Sequence, residues 1–483
     1  MKYGFKFDTT YLNLPECFFS KQSPSVVPSP KIIILNNLLA DSMGLDVNSC
    51  SDEQQAELFS GNKLPVDATP FSQAYAGHQF GHFTMLGDGR AVLWGEHLMP
   101  NNTRVDIQFK GSGRTPYSRR GDGKATLGPM LREYIISEAM HYLGIPTTRS
   151  LAVATTGEDI ARETMLPGAT LTRVASSYIR VGSFEFAAYH NDNKVISAIL
   201  NYTIQRHYPD LLNSENRALS LLEAVMEKQA DLIVNWMKVG FIHGVMNTDN
   251  MLLCGETIDY GPCAFIDSYN PDTVFSSIDD AGRYAYANQP NIAQWNLARL
   301  AETLLPLIHE DVNKAVELAE HCIKKFSSIY KLKWLNMMRA KLGLSTADSK
   351  DEQLISDLLK WMQNNAADYT NTFRDLSYSN NLDAKIYKNS VFEKWYQSWQ
   401  DRLKKNIESL EVSLQLMKKN NPVIIPRNHK VEQALEAAYQ GNFEVLNSLL
   451  SVLKNPYNIQ DNLSEYSLPP KSNERVYQTF CGT

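Results

Sequence analysis

The stretch that decides how this chain folds runs from Val239 to Asp267 and reads VGFIHGVMNTDNMLLCGETIDYGPCAFID. Short apolar pieces alternate here with polar turns, between flanks whose pattern is mainly helical. Asn250 and Asp259, nine residues apart, carry oxygen donors of the kind that Mg²⁺ or Mn²⁺ binds. Magnesium usually takes only one or two protein groups and completes its shell with phosphates and water. The segment therefore predicts a divalent-metal site that works together with a phosphate-bearing ligand.

The spacing in this segment is that of a protein-kinase catalytic loop, except at one position. In kinases an Asp two residues after the loop His is the base, and an Asn five residues further on holds the metal. Here His243 and Asn250 are present, and Val245 stands where the Asp would be. Valine cannot accept a proton, so Asp249 is the nearby carboxylate in this loop that could act as the base. The alternative is that Asp249 only caps a turn. The run Asp259-Tyr260-Gly261 stands where kinases have Asp-Phe-Gly.

Upstream, a strand, a glycine-rich loop and a helix follow one another. Arg104–Lys110 alternates between apolar and polar residues, which predicts a strand with Lys110 on its polar side. Residues 111–128 form a loop with five glycines, and Pro129 then opens a helix that ends near Gly144. A strand lysine holds phosphates in protein kinases when a helix carboxylate pairs with it. The alternative is a solvated lysine at the end of a strand.

Two glutamates of this helix are candidates for the partner of Lys110. The helical periodicity places Glu138 within the apolar stripe and Glu133 on the far side, although Ile136 suggests that the far side is also covered. The pattern leaves both open, and either could instead be an exposed helix charge.

Other candidates for phosphate binding are scattered through the first 180 residues. Gly87-Asp88-Gly89-Arg90 could bring backbone N–H groups to a phosphate, but a hairpin turn explains this run equally well. Asp122-Gly123, within the glycine-rich loop, could likewise either contact a phosphate or only form a turn. Arg173 and Arg180 have side-chain forks that suit phosphate oxygens, with surface arginines as the alternative.

Composition narrows the class of protein. The chain has 483 residues, of which 43% are hydrophobic and 21% charged, as in a folded protein of roughly two to four packed units. A net charge of −6 argues against a nucleic-acid binder. Residues 101–150 nevertheless hold eight Arg or Lys and four carboxylates, which favours a small anionic ligand.

Cysteine usage and the apolar pattern indicate a compartment. The six cysteines show no CxxC or CxH spacing, so we expect no structural zinc and a reducing environment. The first residues lack the apolar region of a signal peptide, and no run of about 18 apolar residues exists. We therefore expect a cytoplasmic protein with no membrane partner.

Four stretches resemble the selenoprotein O family of protein adenylyltransferases, and the resemblance covers nearly the whole chain. They are YAGHQFGHFTMLGDGRAVLWGE, FKGSGRTPYSRRGDGKATLGPMLREYIISEAMHYLGIPTTRSLAV, TRVASSYIRVGSFEFAA and HGVMNTDNMLLCGETIDYGP.

The resemblance implies a fold and an activity. The fold would be α+β and protein-kinase-like, with two lobes around a cleft but without the usual catalytic Asp. We expect an N-terminal extension at 1–60, a β-rich N-lobe at 61–180, a helical C-lobe at 181–340, and additional C-terminal helices at 341–483. Family members bind ATP turned around in the cleft and transfer AMP to Ser, Thr or Tyr hydroxyls of proteins, releasing pyrophosphate. Transfer of UMP from UTP with Mn²⁺ is also attributed to the family.

The resemblance also implies roles for individual residues. Asp249 would accept the proton, Asn250 and Asp259 would bind Mg²⁺ or Mn²⁺, and Glu133 would pair with Lys110, with Glu138 in reserve. The residues that would bind the nucleotide, ATP, are Gly87, Gly89, Arg90, Lys110, Asp122, Gly123, Arg173, Arg180 and Asp259.

Three questions stay open on the sequence. Family members often end in a Cys or selenocysteine, here Cys481, which is either a free thiol or half of a regulatory disulfide. The first rival function is kinase-like transfer of the γ-phosphoryl group. The second, motivated by Val245, is a catalytically inactive scaffold that binds nucleotide.

Overall fold

The computed structural model describes residues 3–378, 384–461 and 463–480, and it shows an α+β fold with a strand-rich first part and a helical remainder. The strands are β1 (Phe19–Lys21), β2 (Lys31–Leu35), β3 (Phe71–Gln73), β4 (Ala76–Gln79), β5 (His82–Met85), β6 (Ala91–Leu98), β7 (Arg104–Lys110), β8 (Ala125–Thr126), β9 (Arg149–Ala161), β10 (Met165–Ala175), β11 (Phe241–Ile242) and β12 (Ala264–Phe265).

Helices dominate from residue 181 onward. The α-helices are α1 (Asn37–Ser42), α2 (Asp52–Phe59), α3 (Leu127–Tyr142), α4 (Val181–Tyr189), α5 (Asn193–His207), α6 (Arg217–Val239), α7 (Gln289–Ile308), α8 (Val312–Lys324), α9 (Phe326–Lys341), α10 (Asp351–Asn364), α11 (Tyr369–Tyr378), α12 (Ser390–Leu403), α13 (Leu410–Asn420), α14 (Asn428–Tyr439), α15 (Glu444–Leu453) and α16 (Leu463–Ser467). Among the described residues, no helix is both long and apolar enough to span a bilayer.

The main sheet is antiparallel. Its strand order is β1-β3-β6-β7-β10-β9-β2, and β8 pairs with β10. The first 60 residues supply two of these strands, β1 and β2. In the central strands Lys110 lies opposite Ala91 on one side and Leu171 on the other. The sheet therefore holds the end of β7, and with it Lys110, between two neighbouring strands.

Strand β7 has the alternation that its sequence predicts, but both of its faces are covered. Ile107 and Phe109 pack into an apolar cluster with buried residues of α1 and α2. Asp106, Gln108 and Lys110 point to the other face and are also buried. Because buried polar groups need partners, this face must meet other polar side chains rather than water.

Helix α3 crosses that polar face of the sheet. It begins at Leu127, two residues before Pro129, and ends at Tyr142, just before Gly144. Proline is tolerated at the third position because the N–H groups of a first helical turn have no partner within the helix. All residues from Leu127 to Met140 except Pro129 are buried. The C-terminal helices help to cover α3, since the hydroxyl of Tyr439 in α14 accepts a hydrogen bond of 3.0 Å from the Gly128 N–H.

The segment from Val239 to Asp267 forms loops between helices, as the sequence predicts. Strands β11 and β12 pair with each other near its two ends, so residues 243–263 between them form a closed loop, the 243–263 loop. A second small sheet, the hairpin of β4 and β5, contacts the 243–263 loop.

Candidate active site

A cavity of ≈ 500 Å³ lies between the main sheet and the 243–263 loop. It is lined by Gly87, Gly89, Arg90, Lys110, Asp122, Gly123, Arg173, Arg180, Asp249, Asn250 and Asp259, among others. The fold thus brings together, at one cavity, every residue that the sequence singled out for nucleotide, metal or proton, although the chain separates them by up to 172 positions.

Lys110 stands at the centre of this group. Its ammonium nitrogen lies 2.6 Å from Glu133 Oε2 and 2.7 Å from Asp259 Oδ1. Of the two candidate glutamates, Glu133 is therefore the partner of Lys110. Glu138 instead pairs with Arg149 at 2.7 Å and accepts a hydrogen bond from Asn36, so the structure separates two glutamates that periodicity left open.

Arg173 and Arg180 are not surface arginines. They are 2% and 1% exposed, respectively, and both contact the Asp259 carboxylate. Arg173 Nη1 lies 2.7 Å from Asp259 Oδ1 and 2.8 Å from Glu133 Oε1. Arg180 Nη1 lies 3.3 Å from Asp259 Oδ2 and donates to the Asp249 carbonyl oxygen at 2.8 Å. Three cations thus converge on one carboxylate.

This convergence controls the protonation of the two buried carboxylates. Burial by itself would raise the pKa of Asp259, but the positive charges of Lys110, Arg173 and Arg180 outweigh it and hold the pKa well below its usual range. Burial and the same kind of cation contact act on Glu133, whose pKa is also lowered. Both side chains are therefore anionic, and they keep the cations in place at the cavity wall.

Asp249 lies in a different electrostatic environment. Burial raises its pKa to about 6, although the nearby Arg180 acts in the opposite direction. Its Oδ2 accepts a weak hydrogen bond of 3.4 Å from Gln79, and its buried Oδ1 has no hydrogen-bond partner among the described residues. Oδ1 lies so close to Gly77 that a Cβ atom on that glycine would collide with it. The residue as a whole still lines the cavity, so Asp249 is a buried carboxylate at the cavity wall.

The loop that carries Asp249 is fixed by its neighbours. The backbone N–H groups of His78 and Phe80 in the hairpin donate to Thr248 Oγ1 at 2.6 Å and to Asn247 Oδ1 at 3.0 Å. Thr248 in turn donates to Glu185 of α4 at 2.6 Å. These contacts hold the two residues that precede Asp249, and so fix the loop from which its side chain projects.

Asn250 and Asp259 have the donor chemistry that a divalent cation prefers, although both Asp259 oxygens contact Lys110, Arg173 or Arg180 in this structure. Both offer hard oxygen donors to the same cavity, and the Asn250 side-chain amide donates to the Val245 carbonyl at 3.0 Å, which leaves its amide oxygen as the ligand atom. No group of three His, Cys, Asp or Glu residues with metal-ligand geometry occurs in the described ranges. Two protein ligands beside a polyphosphate is the arrangement typical of Mg²⁺.

The glycine run at 87–89 packs against the glycine-rich loop. A Cβ atom on Gly87, whose φ is +147°, would lie 2.4 Å from the Tyr117 side chain, and one on Gly89 would lie 2.9 Å from the Tyr117 carbonyl oxygen. Thr115 donates to the Asp88 carbonyl at 2.7 Å. These glycines therefore serve close packing of two loops that both line the cavity.

Asp122 lies at the outer edge of the cavity. It pairs with Arg162 at 2.9 Å and accepts a hydrogen bond from the Lys124 N–H, and these contacts lower its pKa. Gly123, with φ of +70°, approaches the Gly113 carbonyl so closely that a side chain would collide with it. Both residues shape the loop.

Some members of the site were not predicted from the sequence. Asp88 is buried and accepts hydrogen bonds from the Gln73 N–H and the Gln108 side chain, and burial raises its pKa. Gln79 contacts Asp249, and Tyr75 lies under the Arg180 guanidinium at 4.3 Å. Asp88, Gln79 and Tyr75 all stand in the first of the four stretches that carry the family resemblance, but none was singled out as a site residue. Cys481 lies outside the described residues.

Comparison with known proteins gives one consistent result. The profile of the family described as "Protein adenylyltransferase SelO" matches residues 2–454. A curated protein of Nitrosococcus oceani, named protein nucleotidyltransferase YdiU, is 57% identical over 99% of this chain and 98% of its own length. Proteins of the same name from Clostridium botulinum strain Hall and Bacillus cytotoxicus are 57% and 56% identical, over 100% and 99% of this chain and 99% and 98% of their own lengths.

Proposed function

This chain belongs to the SelO family of protein adenylyltransferases, and we propose that it transfers AMP from ATP to a Ser, Thr or Tyr hydroxyl of a protein, releasing pyrophosphate. Membership makes the chain an enzyme, a protein nucleotidyltransferase. The choice of AMP, of the acceptor hydroxyl and of the metal is the proposal. UMP transfer from UTP is a second use of the same cavity.

One observation carries the proposal. Three cations, Lys110, Arg173 and Arg180, surround Asp259 at the same cavity that the Asp249 side chain lines. Binding of a polyphosphate needs the three cations, and activation of a nucleophilic hydroxyl needs a carboxylate such as Asp249. Because valine stands at the kinase position of the base, the acid beside Asn250 takes that role.

The architecture supports a kinase-like arrangement of two lobes. The strand-rich part, residues 61–180, would be the N-lobe and residues 181–340 the C-lobe, with the cavity where they meet. Residues 341–483 would brace the C-lobe and α3. The ion pair between strand lysine and helix glutamate, at 2.6 Å, favours this assignment because protein kinases use the same pair.

The protein groups act by position and charge. Lys110, Arg173 and Arg180 bind the phosphate oxygens, and Glu133 keeps Lys110 directed at them. The acceptor hydroxyl donates its proton to Asp249 as its oxygen attacks the α-phosphorus, and the bond from that phosphorus to the pyrophosphate oxygen breaks. Asn250 and Asp259 would hold Mg²⁺ or Mn²⁺, which supplies charge neutralisation for the phosphates. Fixed charges in a buried site stabilise the transition state more than the same charges in water.

Labelled ATP tests the proposal. The full-length enzyme is incubated with dephosphorylated casein and ATP labelled at either the α- or the γ-phosphorus. We expect the α-label on protein. The γ-label alone on protein would establish the kinase-like rival, and no label on any protein would favour the inactive scaffold.

Asp249→Asn is the decisive variant. We expect α-label transfer to fall by about 10²–10⁴-fold, because the general base is lost. ATP affinity should change little, and thermal stability should not fall, since the substitution removes a buried carboxylate with an unpartnered oxygen. The exposed Asp67→Asn is the matched control and should retain activity. Transfer at the wild-type rate by Asp249→Asn would refute the mechanism.

A further inference from the structure

The hairpin of β4 and β5 has one bound edge and one open edge. It forms a sheet of its own, with two strands joined by Phe80-Gly81, both in the left-handed region as a tight two-residue turn requires. Its inner strand, β4, donates backbone N–H groups to the catalytic loop. No strand among the described residues pairs with the outer edge of β5.

The register identifies which backbone groups face outward. In a two-residue hairpin the closing pair, Gln79 and His82, exchanges hydrogen bonds, and pairs alternate from there. The His78–Phe83 pair is therefore not hydrogen-bonded, and the outward N–H of His78, given to Thr248, agrees with this. By the same alternation, the peptide groups of Phe83 and Met85 point away from β4.

The side chains along this edge are apolar and exposed. Phe83 is 43% exposed and Met85 is 39% exposed. The Phe83 ring stacks against Tyr189 of α4 at 6.1 Å, and Tyr189 is itself 61% exposed. Proteins usually protect open edges of this kind with charges, proline or a covering element. Strand β5 has four residues, and its short length limits pairing, but its edge carries neither proline nor an acidic or basic charge of Asp, Glu, Lys or Arg. Such an edge beside the loop of Asp249 is suited to a short partner strand.

We propose that an extended segment of the acceptor protein adds to the outer edge of β5 as a third strand. This inference rests on the proposed function and specifies how its protein substrate is recognised. The peptide groups of Phe83 and Met85 would pair with the segment, and their side chains would contact its apolar residues. Affinity then comes from backbone pairing, so acceptors of different sequence can share the site.

The position of the edge sets the distance to the modified residue. Strands lie about 4.8 Å apart, so a strand added to β5 runs roughly 10 Å from β4, whose Gln79 contacts Asp249. An extended chain spans that distance in about three or four residues. The docked segment and the modified hydroxyl are therefore neighbours in the acceptor sequence.

Charge at the hairpin turn favours an acidic residue in the segment. Arg283 lies beside Gly81, with its guanidinium 4.8 Å from the Trp295 ring. Its Nε and Nη2 atoms have no hydrogen-bond partner in the described part of the chain. Arg299 lies over the same Trp295 ring at 4.9 Å. Arg299 is already paired with Glu302 at 2.7 Å, so a carboxylate near this end of the added strand would meet mainly Arg283.

The occupant is an acceptor segment rather than a second copy of this chain. The open edge offers the peptide groups of only two residues, which is small for a stable dimer. Its partner strand is bonded to the loop that carries Asp249, so whatever pairs with β5 is placed beside the reacting centre.

Synthetic peptides of about a dozen residues test the pairing. Each carries one Tyr and, about four residues away, the tract Val-Thr-Val-Glu. Two further versions carry N-methyl groups on one or the other set of alternate residues of the tract. A strand that pairs along one edge uses only one set. We therefore expect one methylated peptide to lose about tenfold or more in kcat/KM for α-label transfer and the other to resemble its parent.

Substitutions at Met85 locate the effect on the enzyme. Met85→Pro removes only an outward N–H, which an edge position tolerates. We expect it to raise KM for the parent peptide and to abolish the difference between the two methylated peptides, with the Kd for ATP unchanged. Met85→Ala, the matched control, removes the side chain but should preserve the difference. If Met85→Pro is unstable, the peptide comparison on the wild-type enzyme decides alone.

The outcomes separate this inference from the proposed function. Equal labelling of both methylated peptides, or no labelling of any peptide by an enzyme that places α-label on casein, would overturn docking at β5. A purified enzyme that forms a dimer blocked by Met85→Pro would also overturn it in favour of a second copy. Absence of α-label on both casein and peptides would instead refute the proposed function.

Discussion

At the scale of single residues, two glutamates of one helix have different tasks. Glu133 pairs with Lys110 and Arg173 at the cavity, whereas Glu138, five positions later, pairs with Arg149 and accepts a hydrogen bond from Asn36. Both are buried, so neither is the exposed helix charge that the sequence also allowed. The first glutamate therefore serves the site, and the second ties α3 to the sheet.

Neutral substitutions should separate these tasks. Glu133→Gln keeps the shape but weakens the hold on Lys110, so we expect kcat/KM for ATP to fall by about 10–100-fold. The unfolding free energy should fall less than in Glu138→Gln, because Lys110 and Arg173 keep Asp259 as a partner. Glu138→Gln leaves Arg149 without its anion and should lower the unfolding free energy by about 2–3 kcal/mol, with near-normal activity per folded molecule. Steady-state kinetics and urea unfolding measure the two effects. Equal loss of activity in both variants would contradict the assignment.

At the scale of elements, the cavity is shaped by loops that pack on each other. Gly87 and Gly89 contact Tyr117 so closely that a side chain at either position would collide with it. The 115–118 turn is also joined to this run by the hydrogen bond from Thr115 to the Asp88 carbonyl. Neither loop belongs to a β-strand at this point, so neither is held by regular strand pairing. Their mutual contact therefore fixes the wall that a nucleotide would meet.

Gly87→Ala should disturb that wall. The new methyl group would collide with Tyr117, so we expect the Kd for ATP, measured by calorimetry, to rise about tenfold. Gly441→Ala is the control: that glycine also has a positive φ, of +80°, but nothing lies within 4 Å of the added carbon. It should cost about 1 kcal/mol of stability without changing the Kd. Tyr117→Ala in the Gly87→Ala background should restore ATP binding; if it does not, the collision is not the cause.

At the scale of the whole molecule, buried polar groups join the sheet to the helices. Arg206 of α5 pairs with Glu96 and Asp106 on the sheet, both at 2.6 Å. The next residue, His207, shares a hydrogen bond of 2.6 Å with Ser177. Burial, followed by the charges of Arg206 and Lys228, lowers the pKa of His207 from 6.5 to about 3. The folded molecule therefore keeps this imidazole neutral.

His207 should make the stability of the folded protein depend on pH. Its pKa is lower in the folded than in the unfolded state, so its contribution is fully present above pH 6.5 and is lost as the pH falls from there toward 3. At about pH 5 the loss is about 2 kcal/mol. His207→Gln, which keeps a hydrogen-bonding side chain but does not titrate, should lose less stability between pH 7.5 and pH 5 than the wild type does. Urea unfolding at both pH values measures this, and identical losses would contradict it.

Local sequence patterns were enough to predict the strand at 104–110, the helix after Pro129, and the loop character of 239–267. These are local patterns, and alternation or a turn residue records directly how neighbouring side chains must point. The spacing from His243 to Asn250 and on to Asp259 also sufficed to mark Asn250 and Asp259 as candidate metal ligands, and the resemblance to one family set the expected chemistry.

Which residues come into contact follows from the packing of the folded chain and not from any local pattern. Helix α3 is buried on nearly every side, so it has no single apolar stripe, and periodicity could not tell Glu133 from Glu138. Lys110 and Asp259 are 149 positions apart, and Gln79 reaches Asp249 across 170. Contacts over such separations depend on how the sheet, α3 and the hairpin pack. Packing is a property of the assembled elements, which no local pattern records.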